Sequence, residues 1–287
     1  MTDEASEKAD GRTGRFAIGI DVGGSGIKAA VVDIDAGILT SERLRVPTPV
    51  PSTPEAVIAS MARLVRRLIK SDDLGATVPV GVGLPGVTIG GALRFAGNID
   101  QAWIDFPVVE RLGKVLKRPI FIINDADAAG IAEMRFGVGK GRSGTVIFLT
   151  LGTGVGSGVF TEGVLVPNTE FGQMEIRGRP AERRSAAVAR VKRGLSWKAW
   201  ATDLDEHLDR IQQLMWPNLL ILGGGVSKSP EKYIPRLTVK CEVVPAALRN
   251  DAGIIGAAIV AAESPIQVAD RASAAKQQVL ATREAKT

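Results

Sequence analysis

The chain has 287 residues, 45% of them hydrophobic, which is enough apolar material for one large domain or two modest ones. Lys and Arg number 36 against 31 Asp and Glu, and the net charge of +5 suits an anionic partner without identifying one. The one cysteine, Cys241, excludes an intrachain disulfide and a four-cysteine zinc site.

Both ends of the chain predict flexible tails. Residues 1–14 and 264–287 are polar, mixed in charge and without a sustained apolar face. The first of them lacks the apolar segment of a signal peptide, and no apolar run reaches the roughly 18 residues of a membrane span. We therefore expect a cytoplasmic protein that does not contact a membrane.

The residues between the tails alternate between strand and helix patterns, which indicates an α/β fold. The first half of the chain predicts a strand–turn–strand unit with a glycine turn over 15–35, a helix over 55–70, a buried strand over 78–87 and a strand running into a helix over 119–137. The second half predicts another strand–turn–strand unit with a glycine turn over 144–166 and a helical stretch over about 181–215. A strand entering a glycine turn over 218–227 and a small-residue helix over 251–262 follow.

Two glycine turns, around Gly23 and Gly152, have the same strand–turn–strand setting. This similarity predicts an internal duplication in which two lobes, each opening with a β-hairpin, enclose a cleft. Backbone N–H groups in such turns can approach phosphate oxygens closely. The predicted phosphate-binding residues are Asp21, Gly23, Gly24, Ser25, Gly26 and Lys28 in the first hairpin and Gly152, Thr153, Gly154 and Gly156 in the second.

Neither turn fits a better known nucleotide motif. The first lacks the GxxxxGK[ST] pattern of a P-loop. The second, LGTGVGSG, lies between two strands and not between a strand and a helix, so it does not fit the dinucleotide-binding fingerprint. A third glycine run, formed by Gly223, Gly224 and Gly225, either offers a flat backbone to a base such as adenine or is a tight turn leaving a strand.

Asn124 and Asp125 follow the apolar strand FII, at the point where a helix begins. Ligand-binding groups of α/β folds lie at such strand ends, and a carboxylate there could orient a hydroxyl and take its proton. Either residue could instead serve only as a helix N-cap.

His207 lies among apolar residues at helical spacing, so we interpret it as a helix-face or core residue. Its neighbours Asp203, Asp205, Glu206 and Asp209 are predicted to form a solvated face.

Taken together, the motifs resemble the ROK family of sugar kinases, which have the two-lobed actin-like ATPase (ribonuclease H-like) fold. The resemblance covers residues 16–262 and is to the bacterial polyphosphate glucokinases in particular. It rests on DVGGSGIK, GVGLPGV, NDADAAGIAEMRFG, TLGTGVGSG, VPNTEFG, GGGVSK and VPAALRNDAGIIGAA, which occur in the family's order. It implies an N-terminal lobe over 15–124, a C-terminal lobe over 125–263 and a homodimer.

The resemblance also implies a reaction and the residues that perform it. Asp125 would be the general base for the 6-hydroxyl of a hexose, with glucose as the first candidate, and Asn124 would hold the neighbouring hydroxyl. Asn98, Glu170 and Glu182 match sugar-binding positions. Asp21 would lie near a Mg²⁺ ion, and the phosphoryl donor would be ATP, inorganic polyphosphate or both.

Two departures from the family pattern refine these expectations. The family's cysteine-rich zinc motif is missing, as it is in polyphosphate glucokinases, so no zinc is expected. Gln173 stands where the family usually has histidine. Glutamine donates a hydrogen bond but has a different reach and gains no charge near neutral pH, which predicts weakened or altered sugar preference and leaves mannose, another hexose or a polyol as alternative substrates.

The basic residues leave further alternatives open. Polyphosphate requires a track of cations, for which Lys140, Arg142, Lys228 and Lys232 are candidates. The arginines between Gln173 and Leu195 either influence the sugar site or form a solvated helix face. A non-catalytic sugar or polyphosphate sensor is a third possible function. Nucleic-acid binding is not expected, because the chain shows no such motif and only 5% aromatic residues.

Overall fold

The computed structural model describes residues 15–75, 77–97 and 99–263. Both predicted tails and the predicted sugar-binding residue Asn98 lie outside these ranges. No helix within them is both long enough and apolar enough to cross a bilayer.

Eight strands occupy the first half of the described chain. They are Phe16–Gly23 (β1), Gly26–Asp33 (β2), Ile38–Leu39 (β3), Leu44–Val46 (β4), Val80–Leu84 (β5), Gly86–Ile89 (β6), Ala92–Ala96 (β7) and Ile120–Asn124 (β8). Six of them form one sheet in the order β3-β2-β1-β5-β8, with β4 also paired to β2. The other two, β6 and β7, form a separate hairpin.

Seven strands follow in the second half. They are Thr145–Leu151 (β9), Val155–Thr161 (β10), Val164–Val166 (β11), Glu175–Ile176 (β12), Arg179–Pro180 (β13), Leu219–Gly224 (β14) and Glu242–Pro245 (β15). Five form a second sheet in the order β11-β10-β9-β14-β15, and β12 pairs with β13 alone.

The two large sheets repeat one topology. In the first, β1 and β2 form an antiparallel hairpin, and β5 and then β8 continue the sheet in parallel with β1. In the second, β9 and β10 form the hairpin, and β14 and then β15 continue in parallel with β9. This correspondence confirms the predicted two-lobed α/β fold with a hairpin opening each lobe. The boundary between residues 124 and 125 stays a prediction.

The helices place the sheets in a layered arrangement. They are Pro54–Asp72 (α1), Val108–Leu116 (α2), Asp125–Phe136 (α3), Glu182–Ser185 (α4), Ala187–Lys192 (α5), Trp197–Met215 (α6) and 252–263 (α7). Helices α1 and α2 pack on the outer face of the first sheet, and α6 packs on the outer face of the second. Helices α3 and α7 lie between the sheets and share a core with both.

Strand β14 shows why its sequence is a continuous apolar run. Leu219 and Ile221 face the core between the sheets, whereas Leu220 and Leu222 face α6. Both faces of a parallel strand covered by helices are buried, so alternation of apolar and polar residues is lost. The same burial on two faces explains the apolar strands of the first sheet.

The helical stretch predicted over 181–215 is three helices and not one. Ala186 adopts an extended conformation between α4 and α5, and Gly194 has φ +61° after α5. Ser196 then caps α6 by accepting a hydrogen bond from the Ala199 N–H at 3.2 Å. These breaks separate α4, which begins at Glu182, from α5 and α6.

The two central helices cross at Gly256. A Cβ atom on Gly256 would lie 1.7 Å from the Ala128 carbonyl oxygen of α3. Only glycine therefore allows α7 to approach α3 so closely. This crossing holds α3, and with it the residues at its N-terminus, at a fixed depth between the sheets.

We expect Gly256→Ala to lower the free energy of unfolding by about 2–3 kcal/mol, because the backbone of α3 must move to admit the methyl group. Gly113→Ala is the matched control. Its added Cβ atom would lie an ordinary 3.7 Å from Ile120 Cγ1 in the interior of α2, so helix propensity should make it stabilising by about 0.5–1 kcal/mol. Denaturant unfolding measures both. Equal effects of the two substitutions would contradict the close crossing.

Candidate active site

A cavity of about 310 Å³ opens between the hairpin turns of the two sheets. The predicted site residues that line it are Asp21, Gly23, Gly24, Ser25, Lys28, Asn124, Asp125, Gly152, Thr153, Gly154, Gly156, Glu170, Gln173, Glu182, Gly224 and Gly225. Gly26 and Gly223 are not among its described lining residues. Gly26 faces the Arg45 side chain, and Gly223 packs over the ring of Phe148.

Asn124 joins four parts of the site. Its Oδ1 accepts hydrogen bonds from the N–H groups of Ala126 at 2.8 Å and Asp127 at 2.9 Å, which caps α3. Its Nδ2 donates to the Gly86 carbonyl oxygen at 3.1 Å and to Glu170 Oε1 at 3.3 Å. Asn124 is therefore an N-cap and a cleft residue at once. A sugar hydroxyl that binds its amide must share or replace one of the Nδ2 contacts.

Asp125 is the first residue of α3 and lies at the inner end of the cavity. Burial raises the pKa of its carboxyl to about 8, and the negative charges of Asp21 and Glu170 add to the effect. A base that titrates near neutral pH can hold a proton at one stage of a reaction and release it at another.

The sugar-side residues predicted from the resemblance form a connected cluster. Gln173 Nε2 donates to Glu182 Oε1 at 3.2 Å, and Glu182 Oε2 accepts from the Val155 N–H at 3.0 Å. Glu170 precedes the short 3-10 turn Phe171–Gln173. Burial raises the pKa of Glu170 to about 7, and the charges of Asp127 and Glu182 contribute. The cluster offers both hydrogen-bond acceptors and an amide donor, as a polyhydroxylated ligand requires.

The opposite wall of the cavity carries the two glycine turns. Asp21 accepts a hydrogen bond from Lys28 Nζ at 2.8 Å, so a cation and an anion lie together at the first turn. Thr48 Oγ1 donates to the Gly23 carbonyl oxygen at 2.6 Å and steadies that turn. Within the described ranges, no group of three or more His, Cys, Asp or Glu side chains could hold a metal ion by itself.

Sequence reasoning missed a link between the two halves of the chain. The Asn168 side chain accepts from the Thr88 N–H at 2.8 Å and donates to the Thr88 carbonyl oxygen at 3.1 Å, as a neighbouring strand would. Asp127 Oδ2 accepts from the Asn168 N–H at 2.8 Å. Asn168 has φ +62°, a conformation that asparagine tolerates. Its place in VPNTEFG, two residues before Glu170, was the available signal.

The arginines between Gln173 and Leu195 are not among the described residues that line the cavity. Arg179 and Arg183 are exposed, and three others form ion pairs. Arg184 and Arg193 form ion pairs with Asp203, and Arg177 pairs with Glu206 at 2.7 Å. The prediction that Asp203 lies on a solvated face is wrong, because only 7% of its side chain is exposed. Its two arginine partners, which lie earlier in the chain, cover it.

The candidate cations for a polyphosphate track occupy different places. Arg142 pairs with Glu242 at 2.8 Å before the start of β9, about 20 Å along the strand from the glycine turn at its other end. Lys232 lies over the Trp197 ring. Lys228 is better placed. It lines a second cavity with Arg43 and Arg249, and this cavity shares Asn250 with the first.

Comparisons with known proteins agree with this geometry. Residues 17–174 match the model of the ROK family. The chain is 44% identical over 257 residues to a polyphosphate glucokinase of Mycobacterium tuberculosis, an alignment that covers 89% of this chain and 95% of the relative.

Two solved structures are similar to the whole described fold. The inorganic polyphosphate/ATP-glucomannokinase of Arthrobacter sp. strain KM superimposes with a TM-score of 0.85 at 46% identity, covering 87% of this chain and 99% of that one. A ROK family glucokinase of Streptomyces griseus in complex with glucose and AMPPNP has a TM-score of 0.74 at 25% identity, covering 86% and 99%. Because the ROK family model matches more than half of its length, the chain belongs to the ROK family.

Proposed function

We propose that this protein is a kinase that transfers a terminal phosphoryl group from polyphosphate, ATP or both to the 6-hydroxyl of a hexose, with glucose as the first candidate. The observation that carries the proposal is the position of Asp125. Asp125 lines one cavity with the glycine turns, which suit phosphate, and with the cluster of carboxylates and an amide, which suits sugar hydroxyls. The charges of Asp21 beside the first turn and of Glu170 in the cluster both act on its carboxyl group.

The relatives support both the reaction class and the substrates. The Mycobacterium tuberculosis relative is a polyphosphate glucokinase, and the Arthrobacter structure is a polyphosphate/ATP-glucomannokinase. The Streptomyces griseus structure holds glucose and AMPPNP in a fold of the same kind. These relatives support assigning the chain as a phosphotransferase with an alcohol acceptor, and glucose and mannose are the sugars that their names suggest.

In the proposed mechanism, the ionised form of Asp125, which is the minor form below about pH 8 in the ligand-free cleft, accepts the proton of the 6-hydroxyl as the oxygen attacks the terminal phosphorus in line. The oxygen–phosphorus bond forms while the bond to the leaving phosphate breaks, and Asp125 ends the step protonated. Glu170, Gln173 and Glu182 orient the remaining hydroxyls. Such catalysis depends on positioning and on neutralising phosphate charge, which the backbone N–H groups of the glycine turns and Lys28 can supply.

The carboxylate available at the first glycine turn fits Mg²⁺, since this ion is usually held by one or two carboxylates together with substrate phosphates. Asp21 lines the cavity beside the first glycine turn and is the residue that would hold it. When bound, the ion would neutralise phosphate charge during transfer. Lys28, which already pairs with Asp21, would remain close to the same phosphates.

The second cavity supports polyphosphate as a donor. A chain of phosphates that leaves the cleft past Asn250 would meet Lys228 and Arg249, and then Arg43, which pairs with Asp251 in the same cavity. Gly224 and Gly225 line the first cavity and would instead lie against the base of ATP. Homodimerisation and a cytoplasmic location are part of this proposal and rest on the family alone.

Gln173 favours a second candidate, a kinase whose preferred acceptor is mannose or another hexose or polyol. Its amide is engaged with Glu182, and its carbonyl oxygen adds an acceptor where histidine offers a ring nitrogen. A change from a rigid ring to a flexible amide alters which hydroxyl orientation is bound best.

The first test incubates purified protein with glucose, Mg²⁺ and either polyphosphate or ATP, and measures glucose 6-phosphate. We expect product with polyphosphate, and turnover that falls as salt is raised, because cations that bind a polyanion release counterions. Product from ATP alone would contradict the polyphosphate route. No product from either donor would contradict glucose as the acceptor and leave mannose, other sugars and polyols to be tested.

Asp125→Asn tests the general base by two measurements. Activity should fall by about a hundredfold or more. Without sugar, donor or Mg²⁺, the melting temperature of the variant should exceed that of the wild type by a margin that grows between about pH 4 and 8. The folded protein keeps the Asp125 proton up to a pKa of about 8, whereas an unfolded aspartate releases it near 3.8, so the wild type loses stability as pH rises through this window.

The matched control is Asp73→Asn, at an exposed left-handed position after α1 that asparagine tolerates. It should leave both activity and the pH profile of the melting temperature unchanged. Full activity in Asp125→Asn would exclude the residue as the base and would favour a different catalytic arrangement.

Gln173→His tests the origin of the sugar preference. The variant should change the ratio of kcat/KM for glucose to that for mannose by about tenfold, since one half-buried polar partner of the sugar is repositioned. Gln213→His, at an exposed site on α6, should leave the ratio as it is in the wild type. An unchanged ratio in Gln173→His would show that this position does not determine which sugar is used.

A further inference from the structure

His207 is the chain's one histidine and belongs to α6, on the outer face of the second sheet. It is buried, and it is not among the described residues that line the cavity. Both of its ring nitrogens nevertheless have partners. Nε2 contacts the Phe171 carbonyl oxygen at 3.0 Å, and Nδ1 contacts Ser185 Oγ at 2.9 Å.

These two partners belong to the two segments that carry the sugar-side residues. Phe171 lies between Glu170 and Gln173 in the short turn at the cavity wall. Ser185 ends helix α4, which begins at Glu182. On the cavity side, the segments meet through the contact between Gln173 and Glu182. Behind the cavity, the imidazole joins them a second time.

The chemistry of the partners defines the state of the ring. A carbonyl oxygen can only accept, so Nε2 carries the proton and donates it to Phe171, and Nδ1 can only accept from the Ser185 hydroxyl. The Ala181 carbonyl oxygen, 3.0 Å from the same hydroxyl, competes for its one proton. Burial lowers the pKa of His207 to about 4, so the ring remains neutral and this pattern persists at neutral pH. The two hydrogen bonds fix the orientation of the imidazole ring, which acts as a planar, rigid spacer between Phe171 and Ser185.

Helix α4 has other attachments to α6, whereas the turn is attached mainly to β10, where the Phe171 N–H donates to Ser157 Oγ at 3.0 Å. Trp200 Nε1 donates to the carbonyl oxygens of Ser185 at 3.1 Å and Ala186 at 3.2 Å. Arg184 adds ion pairs to Asp203 and Glu206. Removing the imidazole should therefore leave α4 on α6 and the turn on β10, and let the turn that bears Glu170 and Gln173 shift relative to α4.

We propose that His207 is a positioning residue for the sugar site, which sets the separation between the turn carrying Glu170 and Gln173 and the helix carrying Glu182. The inference rests on the proposed function, because it assumes that these three side chains bind sugar. It assigns to α6 a part in substrate binding although the helix contributes no described residue to the cavity wall.

The test measures sugar binding and turnover in His207→Phe, which keeps a ring and removes both hydrogen bonds. Sugar affinity, measured directly by calorimetry and as KM, should weaken by about tenfold or more, because small misplacements of binding groups have large effects. KM for the phosphoryl donor should stay within about twofold of the wild-type value, since neither hydrogen-bond partner of His207 belongs to a glycine turn. His207→Gln, which restores a donor near the Nε2 position, should recover part of the affinity.

A matched control separates positioning from general destabilisation. Ile211→Val, one turn further along α6 in the same buried cluster, removes a methylene without touching a polar contact. It should lower the melting temperature and leave sugar affinity unchanged. The inference is overturned if His207→Phe binds sugar as the wild type does, or if sugar and donor affinities fall together. A wild type that neither binds nor phosphorylates any sugar overturns the proposed function along with it.

Discussion

The Asn124 side chain is the junction on which the geometry of the cleft depends. Its oxygen caps α3, and its amide nitrogen holds both the Gly86 carbonyl and Glu170. The end of β8, the start of α3, the β6–β7 hairpin and the sugar-side turn therefore meet at one residue. Because the side chain is 2% exposed, these bonds are shielded from water and hold the adjacent Asp125 at a defined position.

The environment of Asp125 shows how the fold balances stability against reactivity. Placing a carboxylate at the inner end of a cleft lined by Asp21 and Glu170 is unfavourable to the charged form, which is why its pKa rises. The close crossing of α3 and α7 at Gly256 prevents α3 from relaxing toward water. The free-energy cost of keeping the Asp125 carboxyl group in this environment is tolerated because the packing of α3 between the two sheets is extensive.

Local patterns predicted much of the fold and of the site. The turns at Gly23 and Gly152 and the strand that ends at Asn124 are marked by neighbours in the sequence, and the structure brings them to one cavity. Asp203 shows where such reasoning stops. Its charged neighbours at helical spacing indicated a solvated face, but arginines 10 and 19 residues earlier cover it. The partners of Asn168 lie 41 and 80 residues away in sequence and those of His207 lie 22 and 36 residues away, and no periodic pattern encodes them.

The burial of a lone imidazole behind the sugar site has a spectroscopic consequence. With one histidine in the chain, the imidazole signals of a solution NMR spectrum arise from a single residue and need no assignment by mutagenesis. That ring contacts the turn of Glu170 and Gln173 on one side and the helix of Glu182 on the other. Its chemical shifts therefore provide a native reporter of ligand occupancy in the neighbouring cleft, without a dye or an isotope-labelled sugar.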